Sequence, residues 1–186
     1  MQHQRESSAP VLESLYRLVR DVPDFPKAGI LFRDITPILL DPRALGEAVD
    51  EVVAPFRQGG ITKVVAVESR GFVLGAPAAL VLNAGLVLVR KPGKLPAATR
   101  RAEYKLEYGT DALEVHVDAL GAGDRALIVD DVLATGGTAA ATAQLVEESG
   151  ARIVGLSFLI ELTELGGRAR LGAGRTVHAA LAYPRR

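Results

Sequence analysis

Cysteine is absent from all 186 residues, and several chemistries go with it. The chain can build no disulfide, no thiolate metal site and no cysteine nucleophile. Such a composition suits a reducing compartment. An excess of charge of either sign is also missing, since 22 basic and 22 acidic side chains balance to a formal charge of zero. That balance gives no electrostatic basis for nucleic acid or an anionic membrane as the main partner. His3, His116 and His178 lie far apart, without acidic neighbours at ligand spacing. No H-x-x-x-H pair, G-x-S-x-G elbow, G-x-x-x-x-G-K-S/T loop or G-x-G-x-x-G fingerprint occurs. Metalloprotease, serine hydrolase, P-loop and dinucleotide-binding readings therefore have no support.

A continuous membrane-length apolar helix is missing as well. Residues 71–89 carry no charge, but Pro77, Asn83 and Gly85 interrupt them. The segment reads as a core helix followed by a buried strand. Residues 1–8 are polar and hold no apolar signal core. What is present suits a packed domain: hydrophobic residues make up 48% of the sequence and mean hydropathy is +0.20. A chain of this length buries roughly 70% of its surface on folding.

Apolar spacing predicts a helix over residues 11–19, ended by Pro23 and Pro26, and a short strand at 30–32. Asp41-Pro42 reads as a cap followed by a first-turn proline, starting a helix that stops near Gly59-Gly60. A strand at 63–67, a helix at 71–82 and a strand at 86–89 make one βαβ unit. Residues 91–102, with two prolines and Gly93, read as a mobile loop. Segments 104–108 and 113–117 alternate across Gly109-Thr110-Asp111 as a hairpin does. Residues 126–129, 138–149 and 153–160 make a second βαβ unit, with Gly150 as helix stop and a late strand at 176–181. The expected fold class is α/β, a mostly parallel twisted sheet flanked by helices.

Three clusters carry chemistry. In the first, the apolar run Ala126-Leu127-Ile128-Val129 leads into Asp130-Asp131-Val132-Leu133-Ala134-Thr135-Gly136-Gly137-Thr138. Strand, acids, small loop and helix follow in order. Ligands of open α/β sheets collect at strand carboxyl ends, and loop amides with a helix N-terminus attract anions. The bland alternative is an ordinary βα turn, but adjacent carboxylates are costly without cations or hydroxyl donors beside them. In the second cluster, Glu68-Ser69-Arg70-Gly71 leaves the first βαβ strand at the same sheet edge. Arg70 offers a fork for phosphate oxygens and Gly71 permits close approach of an anion. The third, Arg90-Lys91-Pro92-Gly93-Lys94-Leu95-Pro96, is either a solvated basic loop or a turn that closes over pyrophosphate; its place after a buried strand favours the second.

The acid-to-threonine stretch resembles the phosphoribosyl-diphosphate motif of the type I phosphoribosyltransferases. Further segments are similar to the adenine-specific branch of that family: Asp24-Phe25-Pro26, Gly29-Ile30-Leu31-Phe32-Arg33-Asp34-Ile35-Thr36-Pro37, Ser69-Arg70-Gly71-Phe72 and Leu106-Glu107-Tyr108-Gly109. The likeness runs from Asp24 to Leu171. Glu68 and Val132 are minor departures, standing where relatives carry Asp and Leu. The resemblance implies one phosphoribosyltransferase domain over residues 1–186. Residues 1–36 would form an N-terminal helix and base-binding hood, and 91–117 a flexible catalytic loop and hairpin. It implies that adenine and 5-phospho-alpha-D-ribose 1-diphosphate become AMP and pyrophosphate, in purine salvage. Mg2+ would be held mainly through the diphosphate, with Asp130 and Asp131 as the nearest carboxylates and no direct protein metal site.

By the same resemblance, Ala134, Thr135, Gly136, Gly137 and Thr138 hold the 5-phosphate after Leu133, and Asp130 and Asp131 face the ribose hydroxyls and the metal–diphosphate complex. Ser69, Arg70, Lys91 and Lys94 serve the pyrophosphate, and an arginine equivalent to Arg90 can act across a dimer. Adenine lies between Phe32 and Val132, with Leu31 backbone and the Arg33 side chain at its polar edge. Glu107 is the general acid or base, with Arg70 and Asp131 also catalytic, and Tyr108 helps close the loop. A cytoplasmic homodimer without nucleic-acid or membrane partners is expected. The rivals are an enzyme for hypoxanthine, guanine or xanthine, and a non-catalytic sensor of phosphoribosyl diphosphate.

Overall fold

The apolar runs between the sequence's turn signals become the strands of one parallel sheet. The computed structural model describes residues 9–105 and 110–184. The chain forms two compact units, residues 1–50 and 51–186.

In the first unit, α1 (Ala9–Leu18) is followed by β1 (Arg20–Pro23), β2 (Leu31–Asp34) and α2 (Thr36–Leu40). β1 and β2 pair antiparallel, with Arg20 opposite Asp34 and Pro23 opposite Leu31. The reversal is fixed by Asp24 (φ +58°) and Gly29 (φ +83°), and Gly29 N–H donates to Asp24 Oδ1 at 2.7 Å. Sequence periodicity anticipates neither β1 nor α2. Pro23 stops the helical pattern, yet it is tolerated at the end of a strand with a single partner. α3 (Pro42–Val53) starts as expected: Asp41 Oδ1 accepts from the Arg43 and Ala44 amides at 2.8 and 3.0 Å.

The second unit holds β3 (Lys63–Val67), α4 (Arg70–Leu82), β4 (Gly85–Val89), β5 (Thr99–Lys105), β6 (Thr110–His116), β7 (Arg125–Leu133), α5 (Gly137–Glu148), β8 (Arg152–Leu162), α6 (Gly167–Leu171) and β9 (Val177–Tyr183). Five strands form one sheet in the order β4-β3-β7-β8-β9, every neighbouring pair parallel. Only Lys63 of β3 escapes full burial, as befits a strand covered on both faces. One face takes α4: a Cβ on Gly75 would collide with the Ala66 methyl. On the other, Val65, Val67, Val87, Val89 and Ile128 join residues of α5 and the β5–β6 hairpin in the main core. Residues alternating along β3 thus serve two layers.

Helix α3 ends at Val53, followed by a short tight turn at Ala54–Phe56, rather than near Gly59-Gly60, and two boundaries nearer the sheet's carboxyl edge also differ from the sequence reading. The hairpin starts at Thr99, with Thr99 opposite His116 and Lys105 opposite Thr110. Residues 99–102 are therefore strand, not loop, and Thr110 and Asp111 lie in β6, not in the turn. β7 also continues beyond Val129, so Asp130, opposite Phe158, and Asp131 are strand residues near its end. No helix among the described residues is long and apolar enough to cross a membrane.

Candidate active site

Parallel register brings three chain segments to one edge of the sheet. Val67 stands opposite Val89, and Ala66 opposite Val129. Glu68-Ser69-Arg70, Arg90 and Asp130-Asp131 therefore stand at the same carboxyl edge of the sheet, as the sequence predicts. Glu68 N–H donates to Val89 O at 2.9 Å, and the Glu68–Ser69 peptide is cis.

The acids are already engaged. Asp131 is buried and ion-pairs with Arg70, whose side chain is half exposed where α4 begins. Asp130 Oδ1 accepts the Asp131 amide at 2.9 Å. Burial, and then the neighbouring Asp131 carboxylate, push Asp130 well above the usual carboxylate range. A Cβ on Gly71 would stand 2.7 Å from Asp130 Oδ1. The group that approaches Gly71 in this structure is thus a side-chain carboxyl of the protein itself.

At the end of β7, Leu133 turns its side chain into the core while Val132 stays half-buried. Ala134, Thr135 and Gly136 make the turn, and Gly136 (φ +76°) caps α5 without any side-chain bond to the first-turn amides. Those amides, with the hydroxyl of Thr138, are the donors that an anion would meet at this helix end. Two neighbours of this loop carry no signal in the sequence reading. α6 meets it backbone to backbone: a Cβ on Gly167 would collide with Ala134 O and lie 3.0 Å from Gly136 N. Around Gly137, a Cβ would lie 3.2 Å from the Tyr104 ring and 3.4 Å from Arg170 Nη1. Arg168 secures α6 by pairing with buried Glu161, Nε to Oε1 at 3.0 Å, and by donating from Nη1 to Val177 O at 2.6 Å.

The basic turn after β4 is held by acids. Arg90 donates to Glu68 Oε2 at 2.7 Å and to Lys94 O at 3.0 Å, and Gly93 N–H donates to Glu114 Oε2 at 3.1 Å. Lys91 pairs with Asp111, which raises the Lys91 ammonium pKa and lowers that of the Asp111 carboxyl. Tyr104 also donates to Asp111, at 3.2 Å. The strand register could have revealed this partnership, because Tyr104 lies directly opposite Asp111.

In the first unit, β2 carries Leu31, Phe32 and Arg33. Leu31 is exposed, Phe32 meets Phe25 edge-on at 5.1 Å, and buried Arg33 pairs with Asp21. Glu107 and Tyr108 lie outside the described residues. Among those described, no cluster of three or more His, Asp or Glu could hold a metal. The best carboxylates are Asp130 and Asp131, one of them already paired with a cation.

A parallel sheet with acids, an open helix N-terminus and basic residues gathered at its carboxyl edge defines an α/β protein of the ligand-binding kind. The family model described as "Phosphoribosyl transferase domain" matches residues 39–170. An adenine phosphoribosyltransferase of Anaeromyxobacter sp. (strain Fw109-5) is 55% identical over 172 residues, covering 92% of this chain and 97% of that relative. The crystal structure of adenine phosphoribosyltransferase from Rhodothermus marinus is 55% identical with a TM-score of 0.91, over 94% of this chain and 99% of that one. The Saccharomyces cerevisiae enzyme, complexed with adenine and an imino-altritol bisphosphate, is 38% identical with a TM-score of 0.88, over 93% and 99%. The chain belongs to the adenine phosphoribosyltransferase family.

Proposed function

We propose that this protein transfers the phosphoribosyl group of 5-phospho-alpha-D-ribose 1-diphosphate to adenine, yielding AMP and pyrophosphate in purine salvage. The observation that carries this reading is the convergence of Arg70–Asp131, Asp130 and the open end of α5 at one sheet edge. The bond from ribosyl carbon to pyrophosphate oxygen breaks, a carbon–nitrogen bond to adenine forms, and the purine loses a proton. Positive charge grows on the sugar carbon, and the Asp131 carboxylate favours it while Asp130 is assigned to the ribose hydroxyls; Arg70, Lys91 and Lys94 favour the departing pyrophosphate. Ser69 and Arg90 complete the pyrophosphate end. Amides from Ala134 to Gly137 and the Thr138 hydroxyl hold the 5-phosphate. Leu31, Phe32, Arg33 and Val132 are assigned to the base. Glu107 is assigned the proton transfer and Tyr108 loop closure, which would keep water from the activated sugar.

The donor set fits a metal that arrives on the substrate, because the two adjacent acids are too few to form a cage of their own. Mg2+ held by the diphosphate would neutralise charge on the leaving group, and Asp130 and Asp131 are the carboxylates that would help to hold it. A homodimer is part of this reading. α4 and edge strand β4 leave Val73, Leu80, Val81, Leu86 and Leu88 exposed, an apolar surface suited to a second copy. A cytoplasmic setting fits the absence of cysteine.

The test is product formation from adenine, phosphoribosyl diphosphate and Mg2+, with hypoxanthine and guanine in parallel. AMP from adenine alone is expected. Product from an oxopurine would overturn the base assignment and keep the phosphate site. No product from any base would favour the sensor.

A further inference from the structure

Four side chains link the basic turn to the phosphate loop. Lys91 Nζ pairs with Asp111 Oδ2. Tyr104 O–H donates to the same oxygen at 3.2 Å, and Thr138 O–H donates to the Tyr104 oxygen at 3.5 Å, the longest link. Asp111 Oδ1 accepts the Ala112 amide at 2.8 Å, which fixes the carboxylate plane. Tyr104 and Asp111 are held opposite one another by strand register, and the Tyr104 ring lies against Gly137. The series therefore starts on one proposed anion-binding segment and ends on the other, through two residues assigned to neither.

We infer that Asp111 and Tyr104 are positioning residues that couple the 5-phosphate subsite at Thr138 to the pyrophosphate subsite at Lys91. The inference rests on the phosphoribosyl reading above. A lysine is a long, rotamer-rich cation, and ordering it at the moment of binding costs affinity. Asp111 orders it beforehand and uses one of its three donors, leaving two for an incoming anion. Asp111 is in turn oriented by the Tyr104 hydroxyl. A phosphate at the first turn of α5 draws the Thr138 proton to itself and removes a donor from the Tyr104 oxygen. The Tyr104–Asp111 bond, and through it the hold on Lys91, then responds to an event at the other subsite. Linkage makes the response reciprocal.

The experiment is calorimetric binding of inorganic pyrophosphate with Mg2+, with and without saturating ribose 5-phosphate. In the unmodified protein, ribose 5-phosphate should change pyrophosphate affinity by about fivefold or more. Tyr104→Phe keeps the ring against Gly137 and removes only the hydroxyl. It should bind each ligand alone within about twofold of the parent while losing most of the coupling. Asp111→Asn should lose the coupling and also weaken pyrophosphate alone, by about tenfold, with ribose 5-phosphate unaffected. Thermal melts show that each variant is folded. Undiminished coupling in folded Tyr104→Phe, or no coupling in the parent while both ligands bind, overturns the inference and spares the phosphoribosyl reading. Failure of the parent to bind either ligand removes both.

Discussion

Gly136 and Gly167 meet through their backbones: a Cβ on Gly136 would stand 2.6 Å from the Gly167 carbonyl oxygen. Gly136 also needs φ +76° to cap α5, so it is constrained twice. Gly167 is constrained by the contact alone, since an added methyl there would strike the Ala134 carbonyl.

Gly167→Ala should therefore push the phosphate loop aside without unfolding the sheet. Overpacking of this kind costs about 1–3 kcal/mol. The expected result is KM for phosphoribosyl diphosphate raised about tenfold, KM for adenine little changed, and a melting temperature lowered by only a few degrees. Steady-state kinetics and calorimetry provide the check, and equal loss for both substrates would argue against a loop-specific effect.

Arg70 serves Asp131 in the protein alone and the diphosphate in the proposed complex. Arg70→Ala should lower kcat/KM by about a hundredfold, the scale of losing one preorganised electrostatic donor. Stability should fall by about 1 kcal/mol or less, because the arginine is half exposed and water screens the pair. Arg70→Lys should recover only part of the activity, since a lysine cannot reproduce the guanidinium fork.

Asp34 gives a pH-dependent signature in the first unit. Its carboxyl is lowered from 3.8 to about 2, chiefly by the Thr36 hydroxyl, with the Thr36 amide and Arg20 adding to it. A carboxylate with a depressed folded-state pKa stabilises the fold above its unfolded value, and that contribution disappears as pH falls through the folded value. The window is therefore from about pH 4 down to about pH 2. Carbon-detected NMR titration should place Asp34 near the lower limit and move it upward in Thr36→Ala, which keeps the amide donor but loses the hydroxyl.

Gly155 in β8 is set against Phe56, and a Cβ there would collide with the ring. Gly155→Ala should destabilise by about 1–3 kcal/mol. Phe56→Leu in the same chain should restore part of the loss, which denaturant unfolding of the two single variants and the double variant would reveal.

Glu107→Ala should lower turnover more than it weakens phosphoribosyl diphosphate binding. Unchanged turnover removes Glu107 from the proposed mechanism.

The βαβ units were legible because their apolar runs are continuous and their stops are explicit. Strand 63–67 matches β3, and Asp41-Pro42 caps α3 as its residue types require. The first half of β5 was hidden by its side chains. Thr99, Arg100 and Arg101 read as a basic loop, and Ala102 is their one deeply buried neighbour. Starting the second strand at 113 put Asp111 among turn residues and concealed its pairing with Tyr104. Gly167 was invisible for another reason. A glycine announces that something approaches closely, but the approaching Ala134 carbonyl lies more than thirty positions away in the chain.

The place of β7 at the middle of the sheet has a consequence for how activity is acquired during folding. Its first residues meet β3 across a long closure, Lys63 beside Ala126, fastened where Arg125 donates to the Gly59 carbonyl at 3.0 Å and Thr62 N–H donates to Arg125 O at 2.9 Å. Helices α4 and α5 draw on local contacts and form fast, whereas pairing across so many residues is slow. The acids and the phosphate loop sit at the far end of that late pairing. A refolding chain should regain its helical signal before it can hold a phosphate, so recovery of ligand binding reports completion of the sheet.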